Sequence, residues 1–525
     1  MTALDGYDTV PPFFFDPRRR SCKSHPPRMD TSVTSQPPEA VAPHPEPETP
    51  LPLRPQGDAL RDALRRVMIA WLFGAAWMYI TTGAVLTQYS KLLGLPKFGF
   101  GLLAALPFAG ALIQLPVSYL IERFGHHKSI FIASGLIHRG LWLLIAVIPW
   151  VFPQRWWCPA FLLFIFVSAL SGHATTPVWI SWMAGLVPSA LRGRYFSRRT
   201  QVGQAVGLVI TVLTGVVLDR SGLIGQGALI KTISAALAVA AVCGMIDFLF
   251  FAKVPPPPGP RPNRSVSVMG MIRQPLSDPN FRRFVGFTAS LTFSVGYIGQ
   301  FVWLFMFDVA GFSNTVANTM LVVMPLIVTM IAYPVWGRLI DRVGRKPLLV
   351  ICGLIVVPGA LPWIFLDRQS LWPVYLFVVI ITAAWPAVDL ANFNILLGMT
   401  DSLKGRRYGT AYVAINSVVV AIAGVLSGLF GGAIAEALGD WKGSLLGHPL
   451  TYHGVLFIIS AVLRAASLLW LIRLEDTGAH STRAALRFMG ATLYSNLQQA
   501  VFMPGRVVVS IGRWTYKLNP RRSAR

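Results

Sequence analysis

Long apolar stretches separated by short polar connections run from about residue 67 to residue 472. Each stretch is near or above the roughly 18–20 residues that a helix needs to cross a lipid bilayer. Helices suit this setting because each one satisfies its own backbone hydrogen bonds in lipid. The pattern therefore predicts an all-α polytopic membrane protein. The predicted spans are 67–90, 99–121, 129–151, 159–186, 200–219 and 228–251, then 284–308, 316–340, 347–366, 371–398, 408–437 and 452–472.

A polar, proline-rich stretch divides these spans into two groups of six, and polar tails flank them. The tail before the first span is rich in Pro, Ser and Thr, which is typical of disorder. The tail after the last span contains STRAALRFMGATLYSNLQQAVF, an amphipathic pattern suited either to a membrane surface or to a partner. The predicted organisation is a disordered tail 1–60, a six-helix half 61–251, a cytoplasmic linker 252–283, a second half 284–472 and a basic tail 473–525.

The two halves repeat each other in sequence, in the same order along the chain. An ordered series of matches indicates an internal repeat rather than chance. The matched features are LRRVMIAW from Leu64 with FRRFVGFT from Phe281, Pro107 and Pro116 with Pro325 and Pro334, and LRGRYF from Leu191 with LKGRRY from Leu403. The fold prediction is therefore two six-helix pseudo-repeats.

The charge of the chain follows the predicted topology. The net charge is +24, which in a soluble protein would suggest nucleic acid. Here Lys and Arg concentrate in the tails and in the loops on the same side as the tails, as the positive-inside rule describes. We therefore expect both termini in the cytoplasm, a plasma or inner membrane location and no nucleic-acid partner. The cysteines are far apart, which favours isolated thiols over a metal or cofactor site.

The segment GRLIDRVGRKP, between the eighth and ninth spans, carries several charges in a chain that is only 13% charged. Its pattern resembles motif A of the major facilitator superfamily, and the twelve spans with their repeat extend the resemblance over about 60–472. The residues that carry the pattern are Gly337, Leu339, Asp341, Arg342, Gly344, Arg345 and Lys346. The resemblance implies a secondary transporter, and it implies a cytoplasmic latch that is closed when the protein faces outward. It leaves the substrate open.

Elementary chemistry gives these residues the same roles. Gly337 permits close approach of a helix, and Gly344 permits a sharp turn. Asp341 can accept hydrogen bonds from a helix N-terminus or pair with an arginine, while Arg345 and Lys346 hold the loop to the inner face. The candidate arginine partners, just before the fifth span, are Arg192, Arg194, Arg198 and Arg199. The alternative is that all these charges only enforce topology.

The equivalent segment of the first half, SYLIERFGHHK, departs from the pattern. Glu122, Arg123 and Gly125 remain, but Ser118 replaces the first glycine and His126-His127 stand where Arg is usual. Glu122 can pair with Lys404, Arg406 or Arg407 before the eleventh span. The histidines either make this latch sensitive to pH or are incidental and exposed.

Ionisable residues inside the spans are candidates for function, because burying them in lipid is costly. Asp389 lies in the tenth span, with Asn392 three residues later on the same helix face, Asn394 close by and Trp385 before it. The resemblance places this span at the central cavity. Asp389 is the main candidate for binding substrate or carrying a coupling proton, and the alternative is a structural hydrogen-bonding role.

Other candidates are weaker individually. His173 and Trp182 lie in the fourth span, Tyr79 in the first and Gln300 in the seventh, which the resemblance also places at the cavity. Arg139 and Arg464 lie at the centres of the third and twelfth spans, where inward pairing in support of the structure is the leading hypothesis. Binding of an anion by Arg139 is the alternative.

The function hypothesis is a secondary active transporter that moves a small solute by alternating access, with proton coupling favoured. There is no P-loop sequence to indicate use of ATP, and we expect no enzyme activity, no cofactor and a monomer. The alternative is a sensor or assembly scaffold that keeps the fold without transporting.

Overall fold

The computed structural model describes residues 57–124, 127–255, 268–366, 372–401 and 409–475. Within them, twelve helices are long and apolar enough to cross a membrane, which confirms the predicted fold class. TM1 to TM12 are Gly57–Ile80, Lys97–Leu120, Lys128–Val151, Gln154–Leu186, Leu191–Ile224, Gln226–Phe251, Pro279–Val309, Asn314–Val343, Arg345–Phe365, Trp372–Met399, Ala411–Leu438 and Tyr452–Ile472.

Several spans are built from more than one helical segment. TM2 consists of Lys97–Ala111 and Gln114–Phe124, and TM9 ends in a 3₁₀ segment, Val357–Phe365. Two further helices lie outside the spans: Ala84–Leu92 follows TM1, and Val268–Ser277 precedes TM7. Two short antiparallel strands, Lys442–Leu445 and His448–Thr451, form a hairpin between TM11 and TM12.

Two predicted spans differ most from the structure in their bounds. The span predicted at 67–90 begins earlier, at Gly57, and is interrupted before Ala84 by Gly83, whose φ is +66°. The span predicted at 200–219 belongs to a longer helix, Ser189–Ile224. Arginine is a good helix former, so the basic segment expected to precede this span continues the helix instead. Hydropathy alone therefore underestimates the length of such a helix.

The same helix pairs form in both halves. TM1 packs against TM5 and TM6, TM2 against TM4, and TM3 against TM4 and TM6. In the second half, TM7 packs against TM11 and TM12, TM8 against TM10, and TM9 against TM10 and TM12. This correspondence fits two six-helix repeats.

A pair of lysine contacts shows the repeat at the level of side chains. Lys128, at the start of TM3, donates hydrogen bonds from Nζ to the carbonyl oxygens of Ala252 and Val254, just after TM6, at 2.6 and 3.0 Å. Lys346, at the start of TM9, donates to the carbonyl of Leu474, just after TM12, at 2.6 Å. A cation at a helix C-terminus compensates the exposed carbonyls there. Each half thus ties its third helix to its sixth in the same way.

The closest approach between the halves is between TM2 and TM11. We call the side where TM1 begins and TM12 ends the terminal side, and the other the distal side. In the distal part of TM2, a Cβ atom on Gly101 would lie 2.4 Å from both the carbonyl oxygen of Gly428 and the Cα of Gly432. Backbones touch here because no side chain intervenes, as in small-residue helix contacts of membrane proteins. The terminal part of TM2, Gln114–Phe124, packs chiefly against TM4.

The ends of these two helices are complementary in charge. Lys97 Nζ, at the start of TM2, donates to the carbonyl oxygen of Gly439 at 2.6 Å and to Asp440 Oδ1 at 3.0 Å, just after TM11. Glu436 Oε2 accepts a hydrogen bond from the backbone N–H of Phe98 at 3.0 Å. An anion thus lies at a helix N-terminus and a cation at a C-terminus, which favours both dipoles.

Replacement of Gly101 by leucine is expected to force TM2 away from TM11. Overpacking of a close contact typically costs about 1–3 kcal/mol, so Gly101→Leu should lower the midpoint of thermal unfolding of the purified protein. The control is Gly227→Leu at the distal start of TM6, where a Cβ atom would meet nothing within 4 Å. An equal loss of stability in both variants would contradict the proposed importance of the contact.

Candidate functional site

Asp219, near the distal end of TM5, joins the first half to the start of TM8. Its Oδ1 accepts from the backbone N–H and the side-chain Nδ2 of Asn314, at 2.7 and 2.9 Å. Its Oδ2 accepts from the backbone N–H and the hydroxyl of Thr315, at 3.0 and 2.6 Å. The carboxylate therefore caps the N-terminus of a helix in the other half, where negative charge is favoured and amides lack helical partners.

Asn318, one turn further along TM8, extends this junction to the helix Ala84–Leu92 and to TM5. Its Oδ1 accepts from the backbone N–H of Ala84 at 3.2 Å, which the break at Gly83 leaves available. Its Nδ2 donates to the carbonyl oxygen of Thr211 at 2.9 Å. One buried amide thus bonds two helices of the opposite half. We call Asp219, Asn314, Thr315 and Asn318 the distal clamp.

Sequence reasoning missed the distal clamp. Asp219 is only the last residue of a predicted span. Asn314 belongs to a short polar run, SNT, and Asn318 follows it within a predicted span. The available signal was the helix-start pattern: Ser313 is an N-cap whose hydroxyl accepts from the backbone N–H of Val316 at 3.3 Å. That pattern gives no indication of the partner, because the partner lies in the other half.

On the terminal side, the motif A residues of TM8 make no hydrogen bond or ion pair with the first half among the described residues. Asp341 and Arg342 are exposed, and a Cβ atom on Gly337 would meet nothing within 4 Å. Arg192 instead donates to the carbonyl oxygens of Ala184 and Val187, at 2.6 and 3.2 Å. Arg194 is exposed. The expected latch remains a prediction for another state of the molecule.

The rest of the motif holds the second half together. Gly344 has φ +96°, in the left-handed region where glycine is favoured, and forms the sharp turn between TM8 and TM9. Arg345 Nη1 donates to the carbonyl oxygen of Asn394 in TM10 at 3.0 Å. Since Lys346 bonds the end of TM12, the two cations connect TM9 to TM10 and to TM12.

The copy in the first half is only partly described. Glu122 and Arg123 lie in the helix Gln114–Phe124 at the terminal end of TM2. Gly125 and Arg406, the other two residues assigned to this gate, lie outside the described residues.

Asp389 is exposed on TM10, and the side chain of Tyr333 on TM8 lies within hydrogen-bonding reach of it. Asn392, on the same helix face, has a buried Oδ1 with no hydrogen-bond partner among the described residues. Asn394 Nδ2 donates to the carbonyl oxygen of Leu390 in its own helix, at 2.8 Å. Trp385 packs partly buried against the core of the second half. Among the described residues, Asn392 thus has an unused acceptor, whereas Asn394 bonds within its own helix and Trp385 packs against the core.

The candidates of the first half lie in helix contacts. His173 Nδ1 is 3.0 Å from Gln114 Nε2, which joins TM4 to TM2. Trp182 is fully buried, and its Nε1 donates to the carbonyl oxygen of Pro255 at 2.7 Å. Tyr79 packs its ring over Gly207 of TM5. Gln300, in the second half, is half-buried in TM7.

The two arginines within spans are both buried, and each meets the neighbouring helix of its own half. Arg139 Nη2 in TM3 is 3.7 Å from Asp247 Oδ2 in TM6, and the guanidinium lies 3.3 Å from the ring centroid of Trp77. Arg464 Nη1 in TM12 donates to the carbonyl oxygen of Val356 at 3.0 Å, where TM9 changes from α- to 3₁₀-helix. Both side chains lie in contacts between the third and sixth helices of their own half.

Two six-helix repeats that meet at an interface between them form the architecture of alternating-access transporters. The family model described as Major Facilitator Superfamily matches residues 100–428 and 326–513 of the chain. The chain belongs to this superfamily and is a multi-pass secondary transporter for small-molecule substrates. No curated protein sequence matches it.

Solved structures share the fold at low sequence identity. The nucleoside transporter NupG has a TM-score of 0.58 and 13% identity over 80% of this chain and 100% of its own. A D-xylose–proton symporter has a TM-score of 0.58 and 16% identity, over 80% and 98%. A bacterial homologue of the human lysosomal transporter Spinster, inward-facing and occupied, has a TM-score of 0.57 and 17% identity, over 80% and 95%.

Asp219→Asn is expected to weaken the distal clamp, because it removes the charge and one acceptor from a helix N-terminus. Hydrogen bonds to charged groups contribute about 1.5–3 kcal/mol each. The reporter is Thr211→Cys in a cysteine-free chain, at a position that is 3% exposed. A membrane-impermeant thiol reagent added on the distal side should label it several-fold faster in the Asp219→Asn variant.

The matched control is Asp308→Asn, which removes a carboxylate that pairs with Lys91 on the same side and also joins the halves. This pair is partly exposed, and such pairs contribute only about 0–1 kcal/mol. Labelling should therefore change little. Equal labelling rates in both variants would contradict the special role of Asp219.

Asp247→Asn is expected to destabilise the first half, because it leaves Arg139 buried without a carboxylate. Removing one partner of a buried pair typically costs about 3–5 kcal/mol. The double variant Arg139→Met with Asp247→Asn should recover most of that loss in thermal unfolding. A double variant as unstable as the single one would show that Arg139 is not held by this pair.

Proposed function

We propose that this transporter carries its solute through a space between the two halves, and that the structure corresponds to the state open to the cytoplasm. In this assignment the terminal side is cytoplasmic, in agreement with the distribution of Lys and Arg. We further propose that the protein works as a monomer in a plasma or inner membrane.

The observation that carries this proposal is the unequal contact between the halves. On the distal side, helix backbones touch at Gly101, and the distal clamp adds hydrogen bonds between the halves. On the terminal side, Asp341 and Arg342 are exposed and Arg192 bonds to its own segment. Alternation then requires the distal contacts to separate as the motif A contacts form.

We assign Asp389 the role of substrate or proton binding. A carboxylate exposed on a transmembrane helix is costly unless it faces water or a partner, and Asp389 has Tyr333 beside it. Asn392 adds an unsatisfied acceptor on the same face. Proton coupling is the favoured mode, because a carboxylate that alternates between two aqueous sides can bind and release a proton. The likeness to a D-xylose–proton symporter agrees with this mode without establishing it.

The first test is ligand-induced stabilisation of the purified protein by a panel of sugars, nucleosides and organic acids. A ligand at 100 times its dissociation constant should stabilise the folded state by about 2.7 kcal/mol. With a stabilising ligand in hand, uptake into proteoliposomes under a pH gradient should be lost in Asp389→Asn. Exchange of labelled for unlabelled ligand without a gradient should continue.

The control is Asp58→Asn, which removes a carboxylate whose side chain is 96% exposed at the start of TM1. This variant should transport normally. Gradient-driven uptake that survives in Asp389→Asn would remove Asp389 from the coupling mechanism, and the absence of flux for any ligand would favour the scaffold alternative.

A further inference from the structure

Arg199, on TM5, lies between two indole rings that come from two other helices. Its guanidinium carbon is 3.8 Å from the ring centroid of Trp71 in TM1 and 4.9 Å from that of Trp179 in TM4. Guanidinium groups bind to aromatic faces by cation–π attraction, and indole is the best partner. The two contacts hold the side chain against both TM1 and TM4. TM1 otherwise packs chiefly against TM5 and TM6, whereas TM4 packs against TM2 and TM3.

The guanidinium has aromatic contacts, but in the described part of the chain no group accepts a hydrogen bond from it. Among the described residues nothing accepts a hydrogen bond from its Nε, which is buried. The residue as a whole is only half-buried, so its outer nitrogens remain accessible. The carboxylate of Asp247 attracts Arg199 electrostatically but makes its ion pair with Arg139, and the Tyr195 hydroxyl donates to the carbonyl oxygen of Leu64 at 3.1 Å. Arg199 therefore presents unused N–H donors.

Neighbouring arginines on the same helix differ in this respect. Arg198 and Arg194 are exposed, where water satisfies their donors, and Arg192 bonds to backbone carbonyls. Arg199 is the member of this basic segment that is held in a defined orientation without an acceptor. An arginine that only sets the membrane orientation of the helix could lie in water and would not need contacts with two tryptophans from different helices.

An anion would complete this arrangement. Guanidinium presents a planar fork of donors that matches carboxylate and phosphate oxygens in a bidentate geometry. The two indole rings supply no hydrogen-bond acceptor to the guanidinium, and a surrounding of low polarity strengthens a charge-assisted hydrogen bond. A partly buried cation with no acceptor is costly, and a bound anion offsets that cost.

We infer that Arg199, oriented by Trp71 and Trp179, binds the anionic group of the transported solute, a carboxylate or a phosphate ester. The inference rests on the proposed function in one respect, that the bound solute is the one carried. The site lies one helical turn from Gly203, over which Trp71 packs, in a half whose terminal side makes few contacts with its partner.

The test is equilibrium binding to the purified full-length protein at constant ionic strength, by thermal shift and tryptophan fluorescence. The probes are benzoate for a carboxylate, phenyl phosphate for a phosphate ester and benzyl alcohol as the neutral counterpart. At least one anion should bind at least tenfold more tightly than benzyl alcohol. The anion that binds more tightly identifies the anionic group of the solute as a carboxylate or a phosphate ester.

Variants assign the binding to Arg199. Arg199→Gln should weaken binding of the anion at least tenfold, and Arg199→Lys, which keeps the charge but loses the planar fork, should weaken it about fivefold. Arg198→Gln removes the same charge from the adjacent exposed residue and should stay within twofold of the unaltered protein. Should Arg199→Gln fail to fold, the anion affinity of Arg199→Lys compared with that of Arg198→Gln still tests whether Arg199 binds the anion.

Two results would overturn the inference: anions that bind no better than benzyl alcohol, or equal weakening in the Arg198 and Arg199 variants. A flux measurement separates this failure from failure of the proposed function. Transport of a neutral solute that Arg199→Gln leaves unchanged would keep the transporter and remove the anion site. Anion binding that depends on Arg199 in a protein without any flux would keep the anion site and remove the proposed transport function.

Discussion

Contact between helix backbones at the distal side is the constraint on which the arrangement of the halves depends. TM2 and TM11 approach so closely that a single methyl group at Gly101 would overlap the other helix. In lipid there is little hydrophobic drive to bring helices together, so such packing and the hydrogen bonds between the halves supply the association. The distal clamp joins TM5 to the start of TM8 on the same side of the molecule, and its acceptors and donors come from opposite halves.

Buried charge has a different purpose inside each half. Arg139 and Arg464 both lie where the third and sixth helices of a repeat meet, but they come from opposite members of the pair. Arg139 meets a carboxylate and an indole, whereas Arg464 meets the carbonyl of Val356, where the change of helix type alters the hydrogen-bond pattern. Pairing of this kind keeps each half rigid, since an unpaired ion in the bilayer costs several kcal/mol. Rigid halves allow motion to be concentrated at the interface between them.

Sequence patterns predicted the spans, the repeat and the turn at Gly344, because these follow from hydropathy, local similarity and backbone conformation. They did not predict the break at Gly83 or the length of TM5, since a single glycine and a basic helical turn have little effect on hydropathy. Asp219 and Asn318 were missed because their partners lie in the other half, and a single sequence does not show which distant residues are close in the fold. Arg199 was noted only as a latch partner, since the two tryptophans that hold it come from different helices.

We propose that the halves rock about their mutual contact, closing one side as the other opens. The most direct measurement is a pulsed dipolar distance between spin labels at Leu223, at the distal end of TM5, and Leu446, in the hairpin before TM12, both highly exposed on the distal side. We expect a short distance in the resting protein and a second, longer one that Asp219→Asn enriches. A pair at Arg194 and Leu276 on the terminal side should change in the opposite direction. A single unchanging distance on both sides would contradict rocking of the halves.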